Sequence, residues 1–157
     1  MKFTKLAVLG FTLMAAPAFA DGHATGSAED GKGVFKKCKA CHSIVDADGG
    51  VIVKGGKNAP NLYGVYNRVA GTQEDFAKKY GKSLIKAGEA GLLWNEADFI
   101  TYVADPKKFL KAYLNDKKAK SKMSFKLKKE QAAKDVWAFI VASGPTVEPA
   151  QANTSTD

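Results

Sequence analysis

Histidine and cysteine are scarce in this chain, with two of each among 157 residues beside three methionines and two tryptophans. A structural zinc site uses about four Cys or His ligands. It would have to recruit Cys38, Cys41, His42 and His23 together, and His23 stands in a polar N-terminal stretch. Long apolar runs are also missing. The one candidate, Leu6 to Ala16, is well short of the ~20 residues that span a bilayer. It follows Lys2 and Lys5 and precedes Ala18-Phe19-Ala20, the pattern of a cleaved secretory signal peptide. Cleavage of residues 1–20 would leave 137 residues beginning at Asp21. That length suits one domain with a modest core. The sequence therefore predicts export to the periplasm and no membrane anchor. Repeats are absent, and so is the strand–helix alternation of a thioredoxin-like fold.

Charge of one sign is short as well. The mature chain holds 22 basic against 16 acidic side chains, a net +6. The excess gathers late, at Lys107, Lys108, Lys111, Lys117, Lys118, Lys120, Lys122, Lys126, Lys128 and Lys129, with five acidic residues from Glu96 to Glu130. Such a field speeds encounter with an acidic partner and is screened by salt. Nucleic acid is the rival partner and fits a periplasmic destination poorly.

What is present carries chemistry. Cys38-Lys39-Ala40-Cys41-His42 is a C-x-x-C-H run, the attachment pattern of a c-type haem. At helical spacing these three residues fall at i, i+3 and i+4 on one face. The thiols can then form thioethers with the haem vinyl groups while the His42 imidazole reaches the iron. A Cys38–Cys41 disulfide or thiol-redox site is the competing reading in an oxidising compartment. The histidine directly after the second cysteine argues for haem.

The remaining pattern is helical with loops. Residues 21–26 read as a flexible arm, and Ser27-x-x-Asp30 resembles an N-cap for a helix running into the cysteines. Gly31 and Gly33 each cost roughly 1 kcal/mol there relative to alanine; Gly31 is read as a place where another backbone comes close. Residues 46–67 read as irregular. A helix is expected over Asp75–Lys86, with Phe76, Tyr80 and Leu84 in step. Asn95 caps the next, and Asp105-Pro106 starts another. Residues 117–127 read as loop, and a last helix spans about Lys129 to Ser143, stopped by Gly144-Pro145. Residues 145–157 read as a disordered tail, which leaves 27–144 as the folded domain.

If His42 is one axial ligand, few residues can supply the other. After export only His23 and Met123 remain as further histidine and methionine. Met123 lies in Lys122-Met123-Ser124-Phe125 with no apolar helical stripe around it, which makes it an odd packing residue. It is the predicted second ligand. Imidazole–thioether ligation favours ferrous iron and a high potential.

Taken together, Phe35-x-x-Cys38-x-x-Cys41-His42, Asn58-Ala59-Pro60-Asn61-Leu62-Tyr63-Gly64, Trp94, Tyr102 and Lys122-Met123-Ser124-Phe125 resemble class I cytochrome c, in particular the c2 and c-550 type of alphaproteobacteria. The resemblance runs from Glu29 to Ser143. It implies an all-α class I cytochrome c fold, helices and loops wrapped around one covalent haem c, with crossed N- and C-terminal helices at Gly31, Phe35 and Phe139. It implies that the Pro60 carbonyl accepts a hydrogen bond from His42 and that Arg68, Tyr80 and Trp94 meet the haem propionates. Tyr102 and Ser121 would lie on the methionine side, and Phe125 would shield the exposed haem edge. The implied function is a monomeric, non-enzymatic carrier of single electrons between membrane redox complexes. Lys39, Lys57, Lys120, Lys122, Lys126 and Lys128 are the candidates for docking on their acidic faces. An open-site haem protein that binds a small ligand is the alternative.

Overall fold

Ser27 has extended backbone, and its hydroxyl accepts the Asp30 N–H, so the first helix of the computed structural model starts at Ala28. That model describes residues 23–146; the expected signal peptide and all but the first two residues of the expected tail lie outside them. Five α-helices follow in order: α1 Ala28–Phe35, α2 Lys82–Glu89, α3 Glu96–Ala104, α4 Pro106–Tyr113 and α5 Glu130–Ala142. A 3₁₀ helix covers Glu74–Lys79, and two short strands, β1 Ile44–Val45 and β2 Val51–Val53, pair antiparallel.

The frame is the packing of α1 on α5. A Cβ at Gly31 would collide with the backbone carbonyl of Asp135 and lie 2.8 Å from Phe139 Cβ. The glycine therefore lets the two helices approach closely, and the helix-propensity loss is the smaller effect. Phe35 and Phe139 pack beside it with ring centroids 5.4 Å apart. Trp137 is fully buried on the same helix and packs 4.9 Å from Phe99 of α3.

Side-chain caps set the starts of α3 and α4. Asn95 Oδ1 accepts the Asp98 N–H at 2.9 Å, and Asp105 Oδ1 accepts the Lys108 N–H at 3.0 Å. Pro106 at the first position of α4 has no N–H to leave unsatisfied.

Three expectations change. The irregular stretch 46–67 contains β2, because Gly49, at φ +86°, turns the chain back on Ile44–Val45. The single helix expected over 75–86 is two elements, divided where Tyr80 and Gly81 adopt extended backbone. The arm, over its described part, is tied down: Thr25 N–H donates to Glu96, Ser27 N–H to Asp135, and the Trp137 indole N–H to the His23 carbonyl.

Candidate cofactor-binding site

Beyond α1 the backbone keeps helical spacing without a full helix. Cys38 N–H bonds to Phe35 O, and the Cys41 and His42 N–H groups both bond to Cys38 O at 3.1 and 3.0 Å. This tight turn brings Cys38, Cys41 and His42 to one wall of a single large cavity. A second strand of chain lies over the turn: Gly56 N–H bonds to Lys39 O and Ala59 N–H to Cys41 O. Glycine is required at 56, where a Cβ would run into the Ala40 carbonyl. Burial pushes the Cys38 thiol up to about 11, and neighbouring Cys41 adds to the shift.

His42 Nδ1 lies 2.8 Å from the Pro60 carbonyl. A carbonyl only accepts, so Nδ1 carries the proton and Nε2 is left with the lone pair a metal needs. Burial lowers the His42 pKa, the Pro60 bond opposes this, and the Arg68 charge lowers it further. The Pro60 segment is itself held by Asn61. Its Oδ1 accepts from Val45 and Tyr63 N–H, and its Nδ2 donates to Val45 O at 2.7 Å. This role of Asn61 has no trace in the sequence, since a loop asparagine does not announce which strand it will grip.

Met123 lines the same cavity from the loop between α4 and α5. Ser121 Oγ holds it at both backbone ends, donating to Met123 O at 3.0 Å and accepting from Met123 N–H at 3.1 Å. The loop is fastened by Leu127 N–H to Val103 O and by Lys120 N–H to Ser83 Oγ. Buried Tyr102 lies alongside; burial raises its hydroxyl pKa, and a hydrogen bond with Ser121 partly offsets that.

Arg68, Tyr80 and Trp94 also line the cavity. The Arg68 guanidinium donates to Tyr63 O, Asn61 O and Gln73 Oε1. Among the described residues no carboxylate lies within ion-pair distance of it. Burial lowers its pKa, and the Tyr80 oxygen nearby opposes that. Tyr80 is shifted upward by burial, against the opposing Arg68 charge. A half-buried cation without a carboxylate is a place for the acidic groups of a ligand.

The rim is basic. Lys57, Lys120 and Lys122 line the cavity, as do Lys37 and Lys79, which the sequence reading did not single out. Lys39 and Lys128 are exposed but outside the lining, and Lys126 is paired with Asp105 at 2.7 Å. Lys122 Nζ donates to Lys79 O, joining two rim segments. Phe125, 37% exposed, lines the cavity among the rim residues.

The cavity holds about 580 Å³, within the ~300–1,000 Å³ usual for cofactor sites. Leu62, Val65, Leu84, Leu110, Val136 and Ile140 make much of its wall apolar. Two thiols beside an imidazole, a thioether in the same cavity, and a half-buried guanidinium form a set that fits a haem: apolar macrocycle, thioether attachment, iron and propionates each find a suitable group.

The cytochrome c family model matches residues 28–143. Cytochrome c-551 of Roseobacter denitrificans is 49% identical over 90% of this chain and 96% of its own length. Cytochrome c2 of Cereibacter sphaeroides is 49% identical over 89% and 95%, and cytochrome c-550 of Paracoccus denitrificans 46% over 92% and 90%. Among solved structures, cytochrome c2 from Rhodobacter sphaeroides superposes with a TM-score of 0.73 at 50% identity, covering 75% of this chain and 96% of that one.

Proposed function

The chain belongs to the cytochrome c family, and on that premise we propose that it is a periplasmic, freely diffusing, monomeric carrier passing single electrons between membrane redox complexes. It has the class I cytochrome c fold and one covalently attached haem c, with Cys38 and Cys41 as the fitting attachment pair. Bound haem supplies reversible one-electron chemistry at iron; everything else falls to this chain's residues.

His42, oriented by Pro60, offers Nε2 from one wall, and Met123, held by Ser121, offers its sulfur from the loop. His42 and Met123, each fixed by the surrounding chain, would hold the group in place, so little of the protein would need to rearrange on electron transfer. Buried Trp94, Tyr102, Leu110 and Val136 exclude water. Arg68, held by the Tyr63 and Asn61 carbonyls, would neutralise the acidic groups of the bound haem. The lysines at the rim, Lys57, Lys120 and Lys122 together with Lys37 and Lys79, favour brief docking on an acidic face. Donors of the bc1 type and acceptors such as a photosynthetic reaction centre, an oxidase or a denitrification reductase all suit that surface. No helix among the described residues is long and apolar enough to cross a membrane.

The observation that carries this reading is the meeting of Cys38, Cys41, His42 and Met123 in one cavity. Visible and magnetic spectra of the purified ferric protein test it. A low-spin haem with methionine–iron signature is expected, and Met123→Ala should convert it to a state that binds small ligands. Survival of the methionine signature in that variant rules out Met123 as the ligand.

A further inference from the structure

The electron-carrier reading leaves the contact between the N-terminal arm and Tyr66 unused. The His23 ring stacks on Tyr66 with centroids 4.3 Å apart, and its Nδ1 lies 2.7 Å from the Tyr66 hydroxyl. His23 Nε2 is buried with no hydrogen-bond partner among the described residues. The direction of the short bond follows from what each atom can do. If Nδ1 held the hydrogen, the phenolic hydrogen and the Nε2 lone pair would both go without a partner among these residues. With the phenol donating to Nδ1, only the Nε2 hydrogen does, so Tyr66 is the donor. Tyr66 also meets fully buried Trp137 edge-on, with ring centroids 6.4 Å apart, and the Trp137 indole N–H donates to the His23 carbonyl at 2.9 Å. Trp137 packs in turn on Phe99, which lines the large cavity. Tyr66 and His23 do not line it.

We infer that Tyr66 and His23 are a proton-coupled redox pair, by which the protein disarms peroxyl-type radicals at a place that shares no residue with its rim. A phenol gives up an electron readily only if its proton leaves too, because an oxidised phenol is a very strong acid. Nδ1 is already in place to take that proton. A peroxyl radical takes one electron from half-buried Tyr66 and leaves as the hydroperoxide anion, which picks up a proton from water. The Tyr66 O–H bond breaks and an N–H bond forms on His23 Nδ1. A neutral tyrosyl radical is left beside an imidazolium, and nothing else in the chain changes.

The unpartnered Nε2 makes the step reversible. No acceptor among the described residues takes a proton onward from it, so the proton stays beside the oxygen it left. Return needs one electron, and Trp137 is the packed route from the cavity side. This return rests on the electron-carrier reading: a reduced carrier gives its stored electron to the tyrosyl oxygen, and His23 hands back the proton. The net change is one radical reduced to a hydroperoxide and one carrier oxidised, with Tyr66 and His23 as before.

The test uses the haem-loaded protein exported from a bacterial host as the full chain, with trichloromethylperoxyl radicals made by pulse radiolysis. Transient absorption gives the rates, and freeze-quenched EPR identifies the radical. Intact mass should show His23 retained; its removal by processing overturns the pair. In the ferric protein a tyrosyl radical should form at a rate that does not depend on buffer concentration, and Tyr66→Phe should lose this fast-forming signal. His23→Gln keeps a side-chain acceptor and the Trp137 bond to the backbone but cannot take the proton. Its tyrosyl radical should form about a hundredfold more slowly, the low end of what a positioned base contributes, and faster as buffer base is added. An undiminished signal in Tyr66→Phe, or an unchanged rate in His23→Gln, overturns the pair. In the ferrous protein the radical should vanish as an equal amount of haem turns ferric; a tyrosyl signal that persists beside ferrous haem overturns return through Trp137. The methionine signature of the haem spectrum in the same samples reports on the carrier reading separately.

Discussion

The two sides of the cavity are built differently. Cys38, Cys41 and His42 stand on a turn that continues α1, which is pressed against α5 and overlain by the chain through Gly56 and Ala59. Met123 stands on a loop without regular structure, held by Ser121 Oγ, by Leu127 N–H on Val103 O and by Lys120 N–H on Ser83. One side resists change through close backbone packing, the other through a few hydrogen bonds that each contribute about 1 kcal/mol. The difference locates flexibility: the methionine side should open at lower free energy than the cysteine–histidine side.

Gly31 and Gly33 break the comparison most sharply, because they share one short helix and should respond with opposite signs. Gly31→Ala drives a methyl into the Asp135 carbonyl; overpacking of this kind costs about 1–3 kcal/mol and should exceed the helix-propensity gain. A Cβ at Gly33 meets nothing within 4 Å, so Gly33→Ala should stabilise by about 0.5–1 kcal/mol. Denaturant midpoints at constant slope decide both, and a stabilised Gly31→Ala would show that the helices do not set the frame.

Ser121→Ala tests the other side with a smaller effect. Losing both bonds to Met123 should lower local stability by roughly 1–2 kcal/mol. Amide exchange should quicken at Met123 while α1 and α5 keep their protection. Equal loss of protection in α5 would mean that the two sides open as one unit.

Lys126→Ala should do least. Its bridge to Asp105 is solvent-exposed, and such pairs contribute little. Asp105 is nonetheless held below the usual carboxylate range by its hydrogen bond with Lys126, helped by the Lys108 N–H. A depressed carboxylate contributes stability above its unfolded pKa and loses it as pH falls through the depressed value. The variant should melt slightly earlier than the parent near neutrality, and the two should converge as the pH falls and Asp105 is protonated.

This contrast also explains what could be read in advance. Caps at Ser27, Asn95 and Asp105, the proline start of α4, and the C-x-x-C-H spacing are local signals, and each leaves a short-range trace. Gly31 is legible because a glycine inside a helix needs a reason. The β1–β2 pairing was hidden in a glycine-rich stretch whose second strand is only three residues long. The break at Tyr80–Gly81 was masked by apolar residues in helical step. The arm escaped notice because its hydrogen bond to Trp137 spans 114 positions, and a polar N-terminal stretch carries no sign of such a partner. Lys37 and Lys79 were missed among many solvated lysines, since only the fold decides which of them reach the cavity.

Both described ends of the chain come to one short segment. His23 lies on Tyr66, and Pro145 and Gly144 border a small hollow with Gly64 and Tyr66. None of the basic residues lining the cavity belongs to that hollow. For anyone building with this protein, the two described ends serve as neighbouring attachment points that involve none of the lysines lining the cavity. A fusion partner joined after Thr146, or a surface linker placed there, should keep its cargo clear of docking, and one scaffold could orient many copies of the carrier the same way.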